Sequence, residues 1–193
     1  MRLPAARRPN TPRLDALRLR DRVRAPVGIL FVGINPGVRS ALTGHHFAGY
    51  SNRFWKLLYA SGIVSEPLTA EDDVRLPEWQ CGITNLVPRP TSGIASLRPS
   101  DYVSGQLALR RKMRRWRPRI VALVGVTLFR ALFNTRPGER VLLGPQTERL
   151  EGVPVFVLPN PSGRNANYTY REMLAAFTAL RKVALTPNDQ MNR

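Results

Sequence analysis

The chain has 193 residues, 43% of them hydrophobic, which is enough for one well-buried domain and too few for two. Its 30 Lys and Arg against 13 Asp and Glu give a net charge of +17, so we expect a polyanionic partner, nucleic acid first and an anionic membrane surface second. A single cysteine, Cys81, excludes a disulfide framework within the chain and a cysteine-ligated metal site. Only two histidines, His45 and His46, are present, which argues against a multi-histidine metal site.

The sequence shows neither a membrane span nor a secretory signal. No apolar run approaches the roughly 18 residues that a membrane helix needs. The basic N-terminus has no apolar segment after it. We therefore expect a cytoplasmic protein that holds no metal and no cofactor.

Three regions are predicted along the chain. Residues 1–24 combine Arg and Pro with few large apolar side chains, which predicts a mostly mobile basic arm with a short helix at Leu14–Leu19. Residues 186–193 form a polar tail. No repeat and no second linker interrupts the stretch between them, so we predict one domain over residues 25–185.

Strands alternate with helices along this domain. Apolar runs rich in β-branched residues predict buried strands at 28–34, 119–125 and 153–159, and a shorter strand is predicted within 81–87. The spacing of apolar residues predicts helices at 52–61, 102–116, 127–133 and 169–183. The alternation favours an α/β fold whose parallel sheet is covered by helices on both faces.

Polar side chains follow three of the predicted strands, at Asn35, at Thr84–Asn85 and at Asn160. In open parallel sheets, ligands bind beyond the carboxyl ends of the strands. The three positions are therefore expected to meet at one rim and to form a ligand site there.

The loops at this rim have unusual compositions. The first, residues 33–55, is rich in glycine but matches neither the dinucleotide-binding fingerprint nor the P-loop. A tight turn explains its glycines, but it explains neither Asn35 nor Phe47. The second loop, residues 158–168, combines Ser, Gly, Asn and Arg, which suits contact with a phosphate or a base edge and equally suits a polar surface turn.

Four motifs in chain order carry a resemblance to a known family: "GINPG" (33–37), "GHHFAGYSNRFWKLLYASG" (44–62), "GITNLVPRPT" (82–91) and "LPNPSGR" (158–164). They resemble the mismatch-specific uracil/thymine-DNA glycosylases. The resemblance implies the three-layer α/β/α fold of the wider uracil-DNA glycosylase superfamily, with a central, mainly parallel sheet. It also implies a nucleoid-associated enzyme that removes uracil opposite guanine from double-stranded DNA and so starts base excision repair.

The resemblance assigns roles to residues of the first loop and of the second strand. Asn35 takes the position that orients the water attacking C1′ of the flipped deoxynucleotide. Because an amide cannot act as a general base, the leaving uracil would be stabilised mainly by backbone amides around Ile34 and Phe47. Phe47 takes the position that stacks on the extruded base. Ser40 lies in the pocket segment, and Asn85 matches a position near the sugar and phosphate.

The motif "NPSGR" resembles the family's intercalation loop, which begins here at Asn160 and includes Ser162. Arg164 takes the position of the wedge that fills the gap left by the flipped base. Main-chain carbonyls near Gly163 and Asn165 would face the widowed guanine. This arrangement favours G·U mispairs, whose weaker pairing also makes extrusion less costly.

The chain departs from its more active relatives at two places. Those relatives carry Asp and His where this chain has Asn35 and Asn160, so slow turnover is expected. Some relatives carry an acidic residue after "RPT"; Asp101 is the first carboxylate here, and the sequence leaves open whether it assists hydrolysis or caps a helix near Tyr102. For His46, both a contact with substrate and a structural hydrogen bond remain open.

Other readings of the sequence also remain open. A glycosylase of the single-strand-selective branch and a non-catalytic DNA-binding module of the same fold are the rival functions. No lysine takes a matched catalytic position, so lyase activity is not expected. Thymine and ethenocytosine are further candidate substrates, because a pocket built on backbone contacts discriminates loosely. We expect the protein to be a monomer.

Overall fold

Five strands form one sheet in the computed structural model, which describes residues 16–91, 93–136 and 138–185. The strands are β1 (Ile29–Gly33), β2 (Cys81–Asn85), β3 (Ile120–Val124), β4 (Gly144–Leu150) and β5 (Val153–Leu158). Their order across the sheet is β2-β1-β3-β5-β4. All neighbours pair in parallel except β4, which is antiparallel to β5. The four predicted strands are confirmed.

Five α-helices are present among the described residues: α1 (Val38–Thr43), α2 (Phe54–Ala60), α3 (Pro99–Trp116), α4 (Val126–Phe133) and α5 (Tyr170–Leu185). Helices α2 to α5 correspond to the four predicted helices, with ends that differ by less than one turn. Two 3₁₀ helices also occur, Ala70–Trp79 and Ile94–Ser96. No helix in the described part of the chain is long and apolar enough to cross a membrane.

Alternating side chains of the strands build two apolar cores, one on each face of the sheet. Phe31 of β1 lies in the core that contains the buried residues of α2 and α5. Its neighbours Leu30 and Val32 lie in the other core, which contains the buried apolar residues of α3 and α4. This alternation follows from the two-residue period of a strand. The three-layer α/β/α architecture with a mainly parallel sheet is therefore confirmed.

Besides the two 3₁₀ helices, one strand and one α-helix lie where no element was predicted. Strand β4, "GPQTERL", alternates between buried and exposed positions and carries mostly polar side chains, as expected for an edge strand. Helix α1 lies inside the glycine-rich loop, between Gly37 and Gly44. Gly44 ends it with φ of 76°, a left-handed conformation that glycine adopts without steric cost.

Residues 16–24, which belong to the predicted arm, lie against the domain. Leu19 is buried, and the backbone of Arg22 exchanges two hydrogen bonds of 2.9 Å with the backbone of Ile83. The segment around Arg22 thereby covers the outer edge of β2. The predicted helix at Leu14–Leu19 is not present at residues 17–19, and its first two residues lie outside the described residues. Residues 1–13 of the arm and the tail at 186–193 also lie outside them.

Helix α3 approaches the end of β2 closely at Gly105. A Cβ atom at this position would lie 2.7 Å from the carbonyl oxygen of Leu86. Because the obstacle is backbone rather than a flexible side chain, only glycine fits without a shift of the helix.

Replacing this glycine therefore tests the packing of α3. Gly105→Ala is expected to lower the free energy of unfolding by about 2 kcal/mol, although the same change in an exposed helix stabilises by about 1 kcal/mol. Urea denaturation measures the difference. Val103→Ala, at an exposed position of α3, is the control and should change the free energy by less than about 0.5 kcal/mol. A Gly105→Ala variant as stable as the wild type would contradict the close approach.

Candidate active site

A cavity of about 700 Å³ lies at the carboxyl ends of the parallel strands. Its lining includes most of the residues singled out by sequence: Ile34, Asn35, Ser40, His46, Phe47, Asn85, Asn160, Ser162 and Arg164. A second cavity of about 640 Å³ shares Ile34, Asn160, Ser162 and Arg164 with the first and is also lined by Asn165. Gly163 lines neither cavity. The loops after β1, β2 and β5 therefore meet at one rim, as predicted.

Asn35 is held at the rim by a hydrogen bond from its side-chain amide. Its Nδ2 donates to Thr91 Oγ1 at 2.7 Å and to the carbonyl of Pro36 at 3.2 Å. The Thr91 hydroxyl donates in turn to the carbonyl of Gly93 at 2.7 Å, so its oxygen is the acceptor for Asn35. These bonds use the donor end of the Asn35 amide and leave Oδ1 as an acceptor for a ligand.

Asn85 and His46 form the buried floor of the cavity. Asn85 is 7% exposed, and its Nδ2 lies 3.5 Å from His46 Nδ1. His46 Nε2 lies 2.9 Å from the carbonyl of Arg20, which accepts only, so Nε2 carries the proton. A Cβ at Gly33 would lie 2.7 Å from Asn85 Oδ1, so a side chain at this position would displace the Asn85 amide.

Burial lowers the pKa of His46 below its ordinary value, against the opposing effects of the Arg20 carbonyl and the Asp73 carboxylate. His46 is therefore neutral at neutral pH. With Nε2 protonated, Nδ1 presents a lone pair to Asn85 Nδ2. This contact favours one orientation of the Asn85 amide.

Phe47 presents an aromatic ring to the cavity from a strained backbone. Its φ of 52° lies in the left-handed region, which is uncommon for a bulky residue. The ring stacks on Phe54, with centroids 4.0 Å apart and an interplanar angle of 20°. The next residue is held as well, because Ala48 N–H donates to Ser40 Oγ at 3.0 Å. Strained residues of this kind cluster at functional sites, where the surrounding contacts hold them.

The buried carboxylate of Asp73 holds the loop that carries Phe47. Asp73 is completely buried and accepts from Arg22 Nε at 2.9 Å and from the backbone N–H of His46 at 2.9 Å. His45 Nδ1 lies 3.2 Å from the same carboxylate. Arg22 also donates to the carbonyl of Gly44 at 3.0 Å. Asp73, in the 3₁₀ helix Ala70–Trp79, thus joins the N-terminal segment to the loop of residues 44–53, which is called the aromatic loop below.

The loop after β5 is ordered by its own short-range hydrogen bonds. Asn160 Oδ1 accepts from Ser162 N–H at 3.0 Å, and Asn165 Nδ2 donates to the carbonyl of Asn160 at 2.8 Å. The N–H of Arg164 donates to Ser162 Oγ at 3.3 Å, while the Arg164 side chain is exposed. These turns present Arg164 from a loop that is already folded.

The same loop is in contact with the aromatic loop. A Cβ at Gly163 would lie 2.4 Å from Ser51 Cβ and 2.7 Å from its carbonyl oxygen. Next to this contact, Arg53 N–H donates to the carbonyl of Pro161 at 2.9 Å. Gly163 is therefore required where the two loops cross.

The cavity contains no carboxylate among its described lining residues. Asp101 lies instead in the first turn of α3, where it accepts from Arg98 N–H at 2.9 Å and from Arg89. These two donors, the Arg98 amide first, hold the pKa of Asp101 below its ordinary value. Of the two roles left open for Asp101, the structure shows helix capping. No cluster of three or more His, Cys, Asp or Glu side chains suited to a metal ion occurs in the described ranges.

The family is shown by a comparison with known proteins. The family model of the Uracil DNA glycosylase superfamily matches residues 21–181 of this chain. The chain belongs to the uracil-DNA glycosylase superfamily. It is accordingly a uracil-DNA glycosylase, a hydrolase of N-glycosidic bonds, and a protein of DNA repair. The resemblance is confirmed at this level, and the assignment to the mismatch-specific branch stays a prediction.

The structure of this glycosylase also corrects the sequence-based site. Thr84 does not line the cavity; its Oγ1 accepts from Lys112 Nζ at 2.8 Å and donates to Asp21 at 2.5 Å. Successive side chains of a strand point to opposite faces, so Asn85 faces the cavity and Thr84 does not. Thr91 was missed as a partner of Asn35, although it ends the quoted motif "GITNLVPRPT". A polar residue at the end of a matched motif was the available signal.

The lowered pKa of His46 predicts a pH-dependent stability. As the pH falls below about 6.5, the unfolded chain binds a proton that the folded chain excludes, so the free energy of unfolding decreases by up to about 1.4 kcal/mol per pH unit. Urea denaturation between pH 7.5 and 5.5 measures this slope. His46→Gln should reduce it, whereas the control His45→Gln should keep the contribution of His46. Equal slopes for wild type and His46→Gln would contradict the assignment.

Proposed function

We infer that the chain is a monofunctional glycosylase that hydrolyses the N-glycosidic bond of uracil opposite guanine in double-stranded DNA. The observation that carries the proposal is the hydrogen bond from the Asn35 amide to Thr91, which orients the amide in the cavity. No carboxylate is among the described residues that line this cavity. Hydrolysis by a positioned water needs an acceptor at this place and no metal or covalent nucleophile.

The proposed reaction begins with a water that donates a hydrogen bond to Asn35 Oδ1. This bond directs a lone pair of the water oxygen towards C1′ of the extruded nucleotide. The new C1′–O bond forms as the bond from C1′ to N1 of uracil breaks, and the electron pair leaves with uracil. The proton of the attacking water passes to solvent or to the uracil anion, because a neutral amide does not take it. No carboxylate is among the described lining residues, and the Nδ1 lone pair of His46 is directed to Asn85, so slow turnover is expected.

Recognition of the base is proposed for Phe47 and Asn85. The Phe47 ring, supported from behind by Phe54, offers a face on which the extruded base stacks. Asn85 presents one donor and one acceptor from the buried floor, which complement the O4 and N3–H of uracil. This role differs from the sugar–phosphate contact expected from the resemblance, and its support is the depth of Asn85 beside Gly33.

Arg164 is proposed as the wedge that occupies the gap in the duplex. Its support is the exposed side chain on a loop ordered by Asn160 and Ser162. The carbonyls near Gly163 and Asn165 would then face the guanine. A preference for G·U pairs follows, since a mispaired base is also less costly to extrude.

The substrate assignment is tested by comparing the excision rates of uracil from three DNA substrates. We expect single-turnover excision of uracil to be fastest from G·U duplex, slower from A·U duplex and slowest from a single strand. Thymine and ethenocytosine opposite guanine extend the series. Faster excision from single-stranded DNA would favour the single-strand-selective branch. No excision from any substrate, together with retained binding, would favour a non-catalytic DNA-binding module.

The mechanism is tested by variants of the Asn35–Thr91 pair. Asn35→Ala should reduce the single-turnover rate at least about 100-fold, because the water loses its only directed acceptor. Binding to a duplex with 2′-fluorinated deoxyuridine, which resists cleavage, should change little. Thr91→Val should lower the rate by about tenfold at unchanged affinity, and Thr91→Ser, which keeps the hydroxyl, should restore it. A Thr91→Val rate equal to that of wild type would contradict the positioning of Asn35.

A further inference from the structure

Tyr50 is the most exposed of the large hydrophobic side chains in the described part of the chain. Its exposed fraction is 90%, whereas the next highest value, at Leu185, is 66%. An exposed tyrosine contributes nothing to the apolar cores, so the fold does not account for it. Tyr50 nevertheless lines the catalytic cavity, three residues after Phe47.

Arg39 covers one face of the Tyr50 ring. The guanidinium carbon lies 3.8 Å from the ring centroid, and Nη1 donates to the Tyr50 hydroxyl at 2.7 Å. Arg39 is itself anchored, because its Nε donates to the carbonyl of Ala48 at 2.7 Å. The ring is therefore held in place before any ligand arrives, and its opposite face is open to solvent.

The pair is placed beside the path of the DNA strand. Tyr50 and Arg39 line the cavity that takes the extruded nucleotide. Ser51, the residue after Tyr50, contacts Gly163 in the loop that carries Arg164. An open aromatic face and a cation thus lie next to both the cavity and the wedge.

We propose that Tyr50, backed by Arg39, is a stacking platform for a nucleobase next to the extruded uracil on the same strand. The ring offers a sequence-tolerant face for any base, and the guanidinium attracts the adjoining phosphate. The platform holds the strand beside the vacated position while Arg164 fills it. The inference rests on the proposed function, since it requires the strand to deliver an extruded nucleotide to the cavity.

The test uses a duplex with 2′-fluorinated deoxyuridine opposite guanine and 2-aminopurine on its 5′ or its 3′ side. The emission of this fluorescent base falls when it stacks. Tyr50→Leu, which keeps apolar bulk without an aromatic face, should raise Kd by about tenfold. It should also raise the emission of the bound 2-aminopurine at one of the two positions. Tyr50→Phe keeps the ring and should retain the low emission, with Kd raised less than about threefold.

Tyr59→Ala is the matched control, because Tyr59 is also an exposed tyrosine and lies outside both cavities. It should leave Kd and emission unchanged. Emission that is equal in the wild-type and Tyr50→Leu complexes at both positions would overturn the platform, whatever happens to Kd.

A duplex with a tetrahydrofuran abasic analogue separates this inference from the proposed function. If wild type fails to excise uracil but Tyr50→Leu still raises the emission on the abasic duplex, the platform stands and the proposed substrate fails. If wild type excises uracil from G·U duplex and Tyr50→Leu matches it in affinity and emission, the platform alone fails.

Discussion

The geometry of the cavity at the sheet rim depends on one buried carboxylate. Asp73 has no exposed surface, and its oxygens are shared between a guanidinium, a backbone amide and an imidazole from two separate segments of chain. A buried charge is tolerated only when its partners are all in place, so the segments around Arg22 and His46 are fixed together. The strained backbone of Phe47 immediately follows. The aromatic side of the cavity is thus maintained by a residue that does not line the cavity.

The chemistry of the site follows from what a neutral side chain can do. In the proposed reaction, Asn35 directs a water without taking its proton. Thr91 fixes the orientation of the Asn35 amide by accepting a hydrogen bond from its nitrogen. A carboxylate at the same place would be a stronger base than the amide, but its negative charge would repel the leaving group, which becomes an anion. A neutral site avoids that repulsion, and the rate then depends on how easily each base leaves.

The sequence was informative where one local pattern has one structural solution. Long apolar β-branched runs predicted β1, β3 and β5, and the rim rule brought Asn35, Asn85 and Asn160 to one cavity. Prediction from the sequence failed where a residue's environment depends on how distant segments of the chain pack together. Strand β4 is polar because it lies at an edge, Thr84 points away because of where β2 ends, and Thr91 meets Asn35 across 56 residues of chain. The apolar periodicity and turn composition of each segment do not reveal such contacts.

The crossing of Gly163 under Ser51 has a mechanical consequence. The loop that carries Arg164 and the loop that carries Phe47 are in backbone contact, so a movement of one requires a movement of the other. Their ordering is completed during folding, and little remains to be ordered when DNA arrives. In the proposed reaction, the duplex therefore supplies the deformation that brings a nucleotide into the cavity. Under this proposal, the rate of excision depends on the stiffness of the DNA around a lesion as well as on the shape of the base.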